Sequence, residues 1–429
     1  NLQPLFETIL NHVPAPEVDA EGPLQLVVTN LGYDEYRGAT AVGRVHRGKI
    51  KKGQNLARIQ RDGTIVSDVA KYLFVFYGLD DKEVEEAEAG EIVTIAGLQN
   101  VSIGETLADP EKPEALPIIE VEAPTVRMTF GVNTSPLSGQ DGKKCTSRMI
   151  RDRLMQELKT NIALRVEETD SAERFLVSGR GELHLGILIE IMRREGFELE
   201  VSRPEAIVIE GENGEQLEPY EEVHIDVPES DVGVVVEMLG SRQGVMENMH
   251  NNADSTVHLI YRVPTRTLLG FRYHFISATR GLGVVNTLFA GYDTLKSQVR
   301  FEQSRSLIAR EAGEATTYGI RNAEERGILF IEPGTQVYEG MVIGENAKPE
   351  DLTINICKKR QVTNMRQANK EIVERLARAR TMSLDESIEF LSPDELLEAT
   401  PNHLRIRKRI LDSHERGRVT KKAKEALAE

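Results

Sequence analysis

Apolar residues recur along this chain in two rhythms, and the switch between them divides it. From Leu24 to Asp109 short alternating runs, "LQLVVTNL", "ATAVGRVHRG", "NLARIQRDGTIVSDVA" and "EIVTIAGL", are punctuated by glycine. Period-two alternation places every other side chain on one face of a strand, and evenly spaced turns predict a closed or nearly closed β-barrel over 24–110. Before it, "HVPAPEVDAEGP" is rich in proline and acid and reads as a linker within 1–23, after a short helix at 4–11. "EKPEALP" (111–117) reads as the next linker.

Over 118–205 strand-like and helix-like stretches alternate. "TVRMTFGVN" is followed by a helix over 147–160 with Ile150, Leu154 and Leu158 on one face. Then come "ALRVEET", "RFLVSG", a helix within "SGRGELHLGILIEIMRREG", and "FELEVSRP". The order βαββαβ predicts a split βαβ sandwich. Leu183, Ile187, Leu188 and Ile191 are expected to pack the second helix on its sheet, with Gly196 as its C-cap. The same order returns over 215–293: "YEEVHIDVP", a helix from about Ser230 to Arg242, "GVMENM", "STVHLIYRVP", a helix near 266–280 and "GVVNTLFAGY".

The remainder, 294–429, is mixed. "ILFIEPGTQVYEGMVIGEN", "DLTINICKKR" and "HLRIRKRIL" read as strands, and a basic helix is expected at 366–380. Ser383 with Glu386, and Ser392 with Glu395, have the spacing of two capping boxes opening short helices. The expected fold is therefore multidomain α+β: a β-barrel, two ferredoxin-like βαββαβ domains and a mixed β-rich C-terminal domain with a basic tail.

Composition changes this picture in one respect. The net charge of −16 argues against nucleic acid, yet its distribution argues for it. Lys358 to Arg380 holds eight Lys/Arg against two acids, and His403 to Glu429 nine against four. Only that end of an acidic molecule can be drawn to phosphate. No apolar run approaches the roughly 18 residues that span a bilayer. Cys145 and Cys357 belong to no C-x-x-C pair, which fits a reducing cytoplasm and gives no thiolate metal site.

Catalytic chemistry finds no foothold. Gly179, Gly181 and Gly186 are spaced G-x-G-x-x-x-x-G, two residues too long for the dinucleotide fingerprint, so a structural strand-to-helix turn is expected. "SGQDGKKCTS" (138–147) lacks the P-loop order and reads as an exposed basic loop, and "DDKEVEEAEAGE" (80–91) as a solvated acidic face. His184 is expected to be half-buried within its helix, and the nine histidines form no metal motif. No catalytic residue, cofactor-binding residue or metal ligand is assigned.

Five stretches carry a resemblance. "YRGATAVGRVHRGKIKKGQNL" (36–56) resembles the second domain of translational GTPases. "SGRGELHLGILIEIMRREGFELEVSRPE" and "EPYEEVHIDVPESDVGVVVEMLGSRQGVMENM" (218–249) resemble the third and fifth domains of the elongation factor G group. "DLTINICKKRQVTNMR" and "LSPDELLEATPNHLRIRKRIL" resemble the C-terminal domain peculiar to the BipA/TypA family. The related LepA group also lacks the fourth domain but carries a different C-terminal domain. Two segments, 297–306 and 367–383, depart from the family pattern.

The resemblance implies a ribosome-binding part of a translational GTPase, monomeric and cytoplasmic, acting in ribosome assembly or stress-adapted translation. GTP and Mg2+ would belong to the GTPase domain, whose P-loop and N-K-x-D motif this sequence does not contain. The chain is thus expected to start in the linker after that domain. Its partners would be that GTPase domain, rRNA of both subunits and A-site tRNA. The phosphate-contact candidates are Lys358, Lys359, Arg360, Asn364, Arg366, Lys370, Arg405, Arg407, Lys408 and Arg409, with Arg405, Arg407 and Arg409 lining one strand face. A LepA-like fragment and a ribosome-independent scaffold are the alternatives, and a solvated basic face balancing the acidic body is the competing reading of the cations.

Overall fold

A computed structural model of the chain describes residues 2–14, 18–34, 36–78, 80–99, 101–118, 123–252, 255–296, 305–359 and 376–426. It forms two compact units, Asn1–Glu122 with Leu154–Leu164, and Ala123–Arg153 with Arg165–Glu429.

In the first unit an exposed helix, Gln3–His12, precedes eight strands that pair in one order. They run Ile65–Val69, Asn55–Ile59, Thr106–Ala108, Gln25–Asp34, Gly38–Arg47, Ile92–Ala96, Tyr72–Tyr77 and Asp80–Glu83, every neighbouring pair antiparallel. The alternation read from the sequence sends Leu26, Val45, Leu56, Leu73, Ile95 and Leu107 into a single core around which the strands curl. Each such side chain contributes about 1.5–3 kcal/mol on burial. Gly43 is fixed by proximity, since a Cβ there would meet the Val27 carbonyl oxygen at 2.2 Å. Gly48 turns the chain at φ +73°. A charged cluster is buried inside: Arg58 lies between Asp68 at 3.3 Å and Glu105 at 2.7 Å.

After the barrel the chain follows the expected βαββαβ order: Val126–Val132, helix Ser147–Glu157, Arg165–Glu168, Arg174–Gly179, helix Glu182–Arg194 and Leu199–Ser202. Its strands lie in the sequence Arg165–Glu168, Arg174–Gly179, Val126–Val132, Leu199–Ser202. The sheet does not stop there. Leu199–Ser202 pairs with Glu395–Ala399, which pairs with Leu404–Lys408, so a C-terminal hairpin extends the first ferredoxin-like sheet.

The second βαββαβ set is Gln216–Pro228, helix Val232–Ser241, Val245–Asn251, Thr256–Pro264, helix Phe271–Ala278 and Val284–Thr294. Gln216–Pro228 is flanked by Val284–Thr294 and Thr256–Pro264, and the latter by Val245–Asn251. Val223, Ile225, Leu259, Tyr261 and Phe275 fill its core. A third sheet runs Gly327–Leu329, Val342–Asn346, Ser306–Ala309, Leu352–Ile354, its last pair parallel. Helix Thr317–Glu324 packs against it, and the Thr316 hydroxyl accepts from the Gly319 amide at 3.0 Å.

Several expectations change. Helix Glu182–Arg194 buries Leu185, Gly186, Leu188, Ile189 and Met192, whereas Leu183, Ile187 and Ile191 stand 40–51% exposed. The helix is apolar on more than one side, so periodicity alone picked the wrong stripe. Ser383 opens helix Leu384–Phe390 with a true capping box. Ser392 does not open a helix: its amide donates to the Glu395 carboxylate and strand Glu395–Ala399 follows, because Glu395 is drawn into a buried ion network. Residues 376–380 are not helical, and the rest of the expected basic helix lies outside the described residues.

Candidate nucleic-acid interface

Strand Leu404–Lys408 holds three of the candidate cations, and the added hairpin decides what surrounds them. Because it lies against Leu199–Ser202, one face carries Arg405 and Arg407 beside the first βαββαβ domain, and the other carries Ile406 and Lys408. Arg407 is 2% exposed. Its guanidinium donates to Thr134 Oγ1 at 2.6 Å, to the Lys408 carbonyl at 3.1 Å and to the Glu200 carboxylate. Arg405 donates to Asp141 at 3.2 Å and stands 3.7 Å from Glu398. His403 and Thr400 meet the same Asp141 oxygen.

Lys408 is 1% exposed, and its ammonium faces Glu395 and Asp394, each at 3.0 Å, and Asp351. Burial pulls its pKa down, but Glu395, Asp351 and Asp394 outweigh that and hold it above the usual lysine value. Glu398 is pushed up to about 7 by burial, against the lowering pull of Arg405 and Arg407. Arg407 and Lys408 are therefore corrected from phosphate contacts to buried ion-pair members. The strand alternation is real, but the face holding Arg405 and Arg407 is covered by Asp141, Glu200 and Glu398 rather than by water.

Other candidates remain open to solvent. Lys358, Lys359 and Arg409 are exposed and form no ion pair with a described residue. The Arg409 guanidinium reaches the Pro393 carbonyl at 3.5 Å. Arg360, Asn364, Arg366 and Lys370 lie outside the described residues. The candidate set lacks Arg418, Lys421 and Lys422, which fall within one turn of helix Ser413–Ala426 with exposed side chains. Their i, i+3, i+4 spacing was the available signal.

Amides of both phosphate-loop lookalikes are taken up by the protein's own side chains. In 138–147 the amides of Gly139 and Gly142 donate to buried Glu198 at 2.9 and 3.0 Å, while Lys143 stays exposed. At the 179–181 turn the Arg180 amide meets half-buried His184 Nδ1 at 3.3 Å. Glu182 begins the helix there and accepts from the Gly270 amide at 3.2 Å. Gly186 admits helix Leu384–Phe390, since a Cβ would stand 3.3 Å from Asp385 Oδ1. Near that junction Glu389 is pushed up to about 8 by burial and by Glu182, partly offset by Arg242. Among the described residues no three His, Cys, Asp or Glu side chains are arranged to hold a metal ion.

Known proteins share this domain order. Residues 304–413 match the TypA/BipA C-terminal domain, 215–302 the elongation factor G C-terminus and 23–109 elongation factor G domain 2. Among curated relatives, the large ribosomal subunit assembly factor BipA of Synechocystis sp. is 49% identical over 95% of this chain and 68% of its own length. The proteins of the same name from Bacillus subtilis and Salmonella typhimurium are 46% and 43% identical, each over 99% of this chain and 70% of theirs. With a matching C-terminal domain and relatives of this identity across most of their length, the chain belongs to the BipA/TypA family.

Proposed function

We propose that this chain is the ribosome-docking part of a BipA/TypA protein acting in assembly of the large ribosomal subunit, as the names of its relatives suggest. The observation that carries the docking half of this reading is the exposed set Lys358, Lys359 and Arg409, none of them in an ion pair with a described residue, on a chain of net charge −16. Cations not neutralised internally release counterions when they meet RNA phosphate, which is the main source of such affinity. Arg360, Arg366 and Lys370 would extend the set, and Arg418 and Lys422 would add a second patch. Contacts to rRNA of both subunits and to A-site tRNA are part of the proposal.

GTP hydrolysis, with GTP and Mg2+, is assigned to a GTPase domain outside these 429 residues, because no P-loop or N-K-x-D motif occurs within them. The TypA/BipA match over 304–413 favours this family over the LepA-like alternative.

Sedimentation of the chain with purified ribosomes tests the reading. Wild-type chain should pellet with ribosomes at low salt, and the triple variant Lys358→Glu, Lys359→Glu, Arg409→Glu should remain largely in the supernatant with its melting temperature unchanged. Equal pelleting of both would remove these residues from the interface. A wild-type chain that ignores ribosomes would leave the scaffold alternative standing.

A further inference from the structure

The sheet of the second βαββαβ domain buries one face and leaves the other open. Val223, Ile225, Val227, Val257 and Leu259 point into the core. The intervening residues of the two neighbouring strands, Glu222, His224, Asp226 and His258, share the open face, where Asp226 lies directly opposite His258 and His224 opposite Ile260. Their side chains are 26–43% exposed.

These four groups form a chain. Glu222 Oε1 lies 2.6 Å from His224 Nε2, and Asp226 Oδ1 lies 2.8 Å from His258 Nδ1. A carboxylate accepts from a ring N–H, so each acid fixes the tautomer of its histidine and turns the other ring nitrogen away from itself. The two nitrogens left over, His224 Nδ1 and His258 Nε2, face each other at 3.4 Å. The ring centroids are 5.5 Å apart with planes tilted by 40°, an edge-to-edge approach rather than a stack. In two neutral imidazoles so oriented, lone pair meets lone pair. That arrangement asks for a cation between them.

We infer that His224 and His258 form a binding site for a divalent transition-metal ion on the open face of this sheet, oriented by Glu222 and Asp226. Two zinc–nitrogen bonds of about 2.0–2.1 Å at a tetrahedral angle span about 3.3–3.4 Å between the nitrogens, which is the separation found. Imidazole pairs suit Zn2+, Cu2+ and Ni2+ and disfavour Mg2+ and Ca2+. A carboxylate on the far nitrogen holds the plane of each imidazole, the arrangement common behind metal-bound histidine. The protein supplies two ligands in place, in keeping with the absence of any three-residue cluster among the described residues. Water fills the remaining positions, or His250, which is exposed and lies opposite His258 on the next strand. Directly paired residues stand about 4.5–5.5 Å apart at Cβ, within reach of a rotated imidazole.

Titration calorimetry of the full 429-residue chain with Zn2+ tests the site. One equivalent should bind, and His224→Ala or His258→Ala should each abolish that equivalent while far-UV circular dichroism stays unchanged. Should either alanine variant misfold, Glu222→Gln and Asp226→Asn give the reading instead, each weakening Zn2+ by about tenfold through the outer hydrogen bond. Mg2+ should give no heat at the same concentration. Absence of a bound equivalent in the wild-type chain overturns the inference, as does an equivalent that persists in the His224→Ala, His258→Ala double variant. Unchanged affinity in both Glu222→Gln and Asp226→Asn overturns the role given to the acids.

Discussion

Arg407 and Arg409 are two residues apart on a basic stretch, and the sequence treats them alike. In the structure one is sealed against Glu200 and the other is open to water. The difference comes from partners 273 and 207 positions away in the chain, Thr134 and Glu200, which no local pattern discloses. It also reverses the consequence of substitution. Lys408→Met would leave Glu395 buried beside Asp351 and Asp394 without their counter-ion, and breaking such a pair costs about 3–5 kcal/mol. Urea unfolding should show that loss for Lys408→Met and Arg407→Met, whereas Lys359→Ala on the open surface should stay within about 0.5 kcal/mol. Two buried acids add a pH dependence. Glu398 and Glu389 are raised to about 7 and about 8 from an ordinary value of 4.5. An acid with a raised folded value holds its proton more tightly in the native state, so its stabilising contribution is complete below about pH 4.5 and is lost as pH rises through 7 and 8. The melting temperature should fall across that interval, and Glu389→Gln should flatten the upper part of the fall. A melting temperature that rises there would contradict the burial of both groups.

Secondary elements were the most legible level. Alternation in "TVRMTFGVN", "RFLVSG" and "HLRIRKRIL" gave strands Val126–Val132, Arg174–Gly179 and Leu404–Lys408, because period two reports the side-chain geometry of a strand directly. Pairing between distant elements was not legible. The hairpin of Glu395–Ala399 and Leu404–Lys408 reads as part of a separate basic domain, yet it completes a sheet begun at residue 126 by covering the edge of Leu199–Ser202. An open edge there would expose unpaired amides and carbonyls. Likewise the glycines of "SGRGELHLG" suggested a turn, and they do form one. The role of the third depends on helix Leu384–Phe390, which meets Gly186 from far along the chain. Gly186→Leu should therefore wedge the two helices apart. Overpacking of this kind costs about 1–3 kcal/mol, visible as a lower urea midpoint, and Gly196→Asn at the positive-φ helix end should cost less. A Gly186→Leu chain as stable as wild type would show that the helices do not depend on this close approach.

At the scale of the molecule, charge segregation was readable from composition, but the number of cations available to a partner was not. The sequence offers nine Lys/Arg among the phosphate-contact candidates. The fold withdraws Arg405, Arg407 and Lys408 into ion pairs, leaving Lys358, Lys359 and Arg409 exposed and Arg360, Arg366 and Lys370 in the segment not described. If these six each neutralise one phosphate of duplex RNA, log K for ribosome binding should fall with log salt at a slope of roughly −5. The variants then separate by mechanism. Lys358→Glu and Lys359→Glu should each reduce the steepness by about 1 or more and leave stability intact. Arg407→Glu should act oppositely, lowering the unfolding midpoint because it places a carboxylate against Glu200, while the slope measured on the folded fraction stays as in wild type. A slope that becomes shallower for Arg407→Glu, with stability unchanged, would mean that this guanidinium leaves its carboxylate to meet RNA, and the division between internal and external cations would have to be redrawn.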